Sequence, residues 1–158
     1  MNRYFALIMI SIVGFLAFQC RSDTHPASEN QPKPKNDTVI MMAGINSKGI
    51  GRFDSVQLTH PLDQKLAANG QDIYQSRCFA CHKLTNELLV GPGWYGVTKR
   101  RTPEWIMNWI TNTKVMLNKD QAVQADMVVC LIRMPNQDLT DEQARQVLEF
   151  MRKNDGEK

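Results

Sequence analysis

Histidine is scarce in this chain: three in 158 residues, namely His25, His60 and His82. None follows His82, so the sequence offers no distal histidine for an acid–base pair. Thiols are nearly as scarce. Of four cysteines, only Cys78 and Cys81 form a Cys-x-x-Cys pair, and Cys20 and Cys130 stand alone. The second ligand pair that a structural zinc site needs is therefore missing. No strand pattern precedes Cys78, which removes the setting of a thioredoxin-like redox pair. Charge of one sign is lacking too. A net charge of +3 is too mild for a nucleic-acid binder. From Asp63 onward, 13 Lys+Arg stand against 12 Asp+Glu. The one long apolar run, Tyr4 to Phe18, is too short to span a bilayer comfortably.

What is present is Cys78-Phe79-Ala80-Cys81-His82. Two thiols and an imidazole within five residues match covalent attachment of a c-type haem. Each sulfur adds to one vinyl group of the porphyrin, and the histidine lies beneath the ring with a nitrogen aimed at the iron. The expected cofactor is one covalent haem c. A domain of about 95 residues has a thin core, and a bound haem is a large apolar body that thickens it.

The chain before this motif divides into three segments. Residues 1–20 resemble a lipoprotein-type signal peptide, with Arg3 ahead of the apolar run and Leu16-Ala17-Phe18-Gln19-Cys20 at its end. Cys20 is the expected lipidation site, although Gln19 stands where most such signals have a small residue. Lipidation, ordinary cleavage nearby or an uncleaved signal anchor would each put the haem domain outside the cytoplasm. Residues 21–37 are polar, carry Pro26, Pro32 and Pro34, and read as a flexible tether. Residues 38–61 read as an irregular arm with a short strand, interrupted by Gly44, Gly49 and Gly51.

Residues 62–158 read as the compact, all-α domain, with about four helices around the haem. Leu62 to Gln75 has helical spacing and places Gly70 and Tyr74 on one face leading to Cys78. Lys83 to Val97 is a glycine-rich loop. A ligating histidine needs its other ring N–H fixed, and a carbonyl near Pro92 is placed to do so. Lys99-Arg100-Arg101 reads as a solvated charge run. Thr102-Pro103-Glu104 opens a helix bearing Trp105, Ile106, Trp109 and Ile110. Trp105 is expected in the core and Trp109 on the floor of the haem pocket. Asn118 to Ile132 predicts another helix, with Ala122, Ala125, Val128, Val129 and Ile132 inward. Cys130 on that helix is either a buried small residue or a reactive thiol.

Pro135 bars helix beyond that point and leaves Met134 on a loop, free to turn inward as the second axial ligand. Met107, Met116 and Met127 are its rivals; Met107 and Met127 lie within helical patterns, where packing is the commoner role. The last helix starts at Leu139-Thr140-Asp141 with a capping box, Thr140 and Gln143, and a staple, Leu139 and Ala144. Ala144, Val147, Leu148 and Met151 form its inner stripe, and the tail from Asn154 is expected to fray.

Taken together, Gly70 and Tyr74, the Cys78–His82 motif, Gly91-Pro92, Met134-Pro135 and the final helix resemble a class I monohaem cytochrome c over about Leu62 to Lys153. That resemblance implies that Gly70 and Tyr74 pack on Val147 and Phe150 where the terminal helices cross. It implies that the Pro92 carbonyl orients His82. The arm, Lys99 to Trp105 and Met134 to Gln137 are similar to lipoprotein cytochromes of Bacteroidetes-type bacteria. Some of those resemble donors to nitrous-oxide reductase or to a terminal oxidase.

The expected function is one-electron transfer through a haem with both axial sites filled, His82 and Met134. Redox proteins are the expected partners, as donor and acceptor, and a lipid anchor ties the protein to the periplasmic side of a membrane. No catalysis, nucleic acid or small-molecule substrate is expected. Lys83 and Arg133, near the haem edge by sequence, favour acidic partners. Two other readings stay open: a five-coordinate haem sensor or small peroxidase, and a structural haem subunit of a larger complex.

Overall fold

A computed structural model describes residues 46–127 and 132–158. Cys20, Val128, Val129, Cys130, the segments 1–20 and 21–37, and the first part of the arm lie outside the described residues. Helix α1, Gln64–Ile73, starts where Asp63 accepts hydrogen bonds from the N–H groups of Lys65 and Leu66, both at 3.0 Å. This side chain satisfies two of the N–H groups that a helix start leaves unpaired. The helix then widens into a π turn, Tyr74–Cys78, closed by Phe79 N–H donating to the Tyr74 carbonyl at 2.9 Å. One extra residue in the turn re-aims the side chains after it. Cys78 ends up buried, while Phe79 and Ala80 face solvent.

Among the described residues five further helices follow: α2, Val97–Arg100; α3, Pro103–Thr111; α4, Thr113–Lys119; α5, Gln121–Asp126; and α6, Asp141–Asn154. There is no strand among the described residues, so residues 46–61 of the arm lack the short strand expected there. The predicted caps form. Thr102 accepts from Trp105 N–H at the start of α3, and Thr140 and Gln143 complete the capping box of α6. α6 lies across α1 at Gly70. A Cβ there would come within 2.0 Å of the Gln146 carbonyl oxygen, so only glycine permits this approach. Beside it the Tyr74 and Phe150 rings meet, with centroids 5.4 Å apart. The crossing implied by the resemblance is present.

Three expectations are corrected. The helix predicted from Asn118 to Ile132 is broken at Asp120. Its carboxylate caps α5 through Val123 N–H at 3.0 Å and also accepts from the Trp105 indole at 3.3 Å. That bond draws the chain inward and resets the helix phase. Val123 is buried in place of Ala125, and Ile132 is 63% exposed. The charge run is only partly solvated. Arg101 lies over the Trp105 ring at 4.6 Å and pairs with Asp126 at 3.2 Å. The C-terminal tail is tied down where fraying was expected. Asp155 accepts from the N–H groups of Gly96 and Thr98, and the Lys158 carbonyl accepts from Leu62 N–H.

The arm docks by lending its backbone to side chains of the domain. Asn108, 1% exposed, accepts from Phe53 N–H at 3.0 Å and donates to the carbonyls of Lys48 and Phe53. Gly51 lies so close that a Cβ would sit 2.2 Å from the Asn108 amide oxygen. Ile50 N–H donates to the Met116 sulfur at 3.0 Å, and the Thr102 hydroxyl donates to the Ser47 carbonyl. A buried amide must be bonded on every side to avoid a desolvation penalty, and the arm supplies those bonds.

Candidate functional site

The π turn and the reversal after it bring Cys78, Cys81 and His82 onto one short stretch. Cys81 N–H and His82 N–H both return to the Cys78 carbonyl, at 3.0 and 2.9 Å. The Tyr74 hydroxyl donates to the His82 carbonyl at 2.7 Å, locking the turn to the end of α1. Tyr74 is itself buried between Phe150 and Trp94, whose ring centroid is 5.0 Å away. Helix crossing and motif therefore share one side chain.

His82 is half-buried, and its Nδ1 lies 2.8 Å from the Pro92 carbonyl oxygen. A carbonyl only accepts, so Nδ1 carries the hydrogen and Nε2 keeps its lone pair. Burial lowers the His82 pKa, against the opposing pull of the Pro92 bond, and favours the neutral ring that a metal requires. Gly91 makes room for this ring. A Cβ at Gly91 would stand 2.5 Å from His82 Cε1. The glycine is also anchored, its N–H donating to the Cys81 carbonyl at 2.9 Å. Burial pushes the Cys78 thiol up to about 11, with Cys81 adding to the rise and Arg77 opposing it.

This donor set fits a covalently held haem. Two thiols stand on one exposed-faced turn, and an imidazole with a free Nε2 lone pair stands beside them. A glycine cradle admits the ring, and a carbonyl fixes its tautomer.

Of the other predicted residues, Pro92 is exposed, and its carbonyl makes the contact expected of it. Trp109 on α3 is half-buried, 6.1 Å from the Trp105 ring, while Trp105 is buried as core. Met134 lies on the irregular segment between α5 and α6, half-buried and packed against the core. Among its rivals, Met107 is buried within α3. Met116 is fully buried with its sulfur already engaged by Ile50 N–H. Met127 is half-buried at the end of α5.

Sequence reasoning missed Trp94. It is 7% exposed, its N–H donates to the Lys83 carbonyl at 2.8 Å, and its ring lies 5.8 Å from His82 as well as against Tyr74. The available signal was a large aromatic within a run of glycines, where nothing else could fill a core. In sequence Gly91 reads as a breaker of regular structure and as part of the family pattern, and its contact with His82 was missed.

Comparison with known proteins gives one consistent result. The sequence profile of the family described as Cytochrome c matches residues 67–155. A solved cytochrome c from Rhodothermus marinus is similar at 32% identity and a TM-score of 0.64, over 66% of this chain and 90% of that one. An engineered form of it, Rma TDE, matches at 32% identity and a TM-score of 0.63 with the same coverage. A structure of that engineered form bound to a carbene intermediate matches at 32% identity and a TM-score of 0.60, again with the same coverage. No curated protein sequence matches the chain.

Proposed function

The chain belongs to the cytochrome c family, whose members carry a covalent c-type haem, and on that premise we propose that it is a one-electron carrier with His82 and Met134 as axial ligands. When bound, the haem supplies a single redox-active iron. The chain's own residues decide how that iron is held. Cys78 and Cys81 fix the macrocycle to the turn. His82 presents Nε2, because Nδ1 is committed to Pro92 at 2.8 Å, and this contact is the observation that carries the reading. Met134 brings a neutral, polarisable sulfur from the opposite loop. Two neutral ligands in an apolar surround favour the reduced state and raise the potential. With His82 and Met134 both holding a bound haem iron, the chain would need little rearrangement for one-electron chemistry there.

Electrons would pass at the exposed face of the cysteine turn, where Phe79 is 57% exposed. The nearby cations are not idle: Lys83 pairs with Glu87, and Arg133 donates to Asn118. Acidic redox partners remain the preferred class, with nitrous-oxide reductase or a terminal oxidase as acceptor by likeness to the lipoprotein cytochromes. The further proposal is that Cys20 is lipidated and residues 21–37 give the domain reach on the periplasmic side of a membrane. Each buried methylene of an acyl chain adds about 0.8 kcal/mol, so two or three chains anchor firmly. The intact mass of the mature protein tests this, and an unmodified Cys20 removes the anchor.

The ligand set is tested on the purified, haem-loaded protein. The oxidised form should show the weak far-red absorption of thioether-ligated iron, and the reduced form should bind carbon monoxide slowly. Met134→Ala should lose the band and bind carbon monoxide at once. A wild-type protein that already behaves like this variant would be five-coordinate, which is the sensor or peroxidase reading.

A further inference from the structure

The segment that carries Met134 has little backbone holding it. Among the described residues, none of residues 132–139 takes part in a backbone–backbone hydrogen bond. Three guanidinium groups on separate parts of the chain secure it instead. Arg133, next to Met134, donates to the Asn118 side chain on α4 at 3.1 Å. Arg52, from the arm, donates through Nε to Asp141 at 2.8 Å, at the first residue of α6. Arg77, immediately before Cys78 on the π turn, donates to the Gln137 carbonyl at 2.5 Å.

The third tie differs from the other two. It joins a residue adjoining one haem-bearing cysteine to a carbonyl three residues beyond Met134. Both sides of the cofactor site are thus linked by one hydrogen bond from a charged donor, across 60 residues of sequence. We propose that Arg77 is a positioning residue for axial ligation: its bond to the Gln137 carbonyl holds the Met134 segment closed and sets how often the thioether leaves the iron. This rests on Met134 being the ligand. Opening of a segment that shows no backbone ladder among the described residues is a local event, and its frequency follows the few bonds that must break.

The test uses haem-loaded protein and stopped-flow binding of carbon monoxide to the reduced form. Arg77→Gln should bind it roughly three to ten times faster than wild type, as expected for loss of one hydrogen bond from a partly screened charged donor. Arg77→Lys keeps a charged donor for the single carbonyl and should stay within about twofold of wild type. Arg100→Gln is the control. Arg100 also donates to a carbonyl, that of Tyr95 at 2.7 Å, with no contact to the Met134 segment, and its rate should be unchanged. A glutamine variant no faster than wild type overturns the proposal. So does an Arg100→Gln protein as fast as Arg77→Gln, which would mean general loosening, or a lysine variant that fails to restore the slow rate. A wild-type protein without the far-red band and with rapid binding overturns the Met134 ligand itself. Wild type with the band, together with an unaltered Arg77→Gln, overturns Arg77 alone.

Discussion

From His82 to Gly96 the chain has no regular structure, yet its own backbone binds it into the fold: Gly91 N–H to Cys81, Trp94 N–H to Lys83, Tyr95 N–H to Thr85. Trp94 fills the space behind it. From Ile132 to Leu139 the chain is equally irregular; arginine side chains make its long-range hydrogen bonds among the described residues, and Leu139 packs into the core. Backbone bonds in a partly buried loop are shielded from water and from salt. Exposed guanidinium contacts are screened, with a typical worth of about 0–1 kcal/mol. The loop from His82 should therefore behave as part of the rigid core, and the segment carrying Met134, the proposed second ligand, as the part that opens.

The strongest challenge to this contrast is Gly91→Val. The side chain would collide with the His82 ring, and the backbone around it has no freedom to yield. Mature, pigmented protein should fall to a small fraction of wild type, read as haem absorbance per mass of purified protein in a host that attaches haem. Next is Trp94→Ala, which should cost about 3–5 kcal/mol of unfolding free energy in a denaturant titration. Carbon monoxide binding should stay close to wild type, because the cavity lies on the histidine side. A large acceleration would mean that the two sides are not separable. A smaller effect is expected from Tyr74→Phe, which removes the hydroxyl bonded to the His82 carbonyl. About 1 kcal/mol should be lost, again with little change in carbon monoxide kinetics.

The last and smallest effect concerns pH. The hydrogen bond from Arg52 holds the Asp141 carboxyl below its usual 3.8. A carboxyl with a lowered folded pKa stabilises the fold above its ordinary pKa, and that contribution is lost as pH falls through the lowered value. The Arg52 tie should thus be intact at neutral pH and fade only in acid. A nuclear magnetic resonance titration of the reduced protein should place the Asp141 midpoint below 3.8, and Arg52→Ala should return it to the ordinary range. An unchanged midpoint in that variant would remove Arg52 from the ties on the methionine side.

Much of the architecture was legible because it depends on neighbours in sequence. Thr102 with Pro103, and Thr140 with Gln143, announce helix starts within four residues, and both starts are where the caps placed them. Gly70 and Tyr74 could be assigned to one face from spacing alone. Reading failed where a polar residue works at long range. Asp120 looked like a position within one helix, but it bonds to the Trp105 indole and divides the helix in two. Asn108 sat unremarked among Trp105, Ile106 and Trp109, although a polar residue at a buried phase was a usable sign of a partner. That partner was the arm, whose local pattern suggested a strand.

The order of residues alone determined the cofactor chemistry and the helix starts: two thiols and an imidazole at haem-attachment spacing, and helices that begin at their caps. These arise from rules that act over one or two turns of chain. Only the tertiary structure decided that Gly91 clears the His82 ring, that Trp94 backs it, and that Arg77 reaches Gln137. Those facts depend on where distant segments come to rest, which is set by the packing of α1 against α6 and has no local signature.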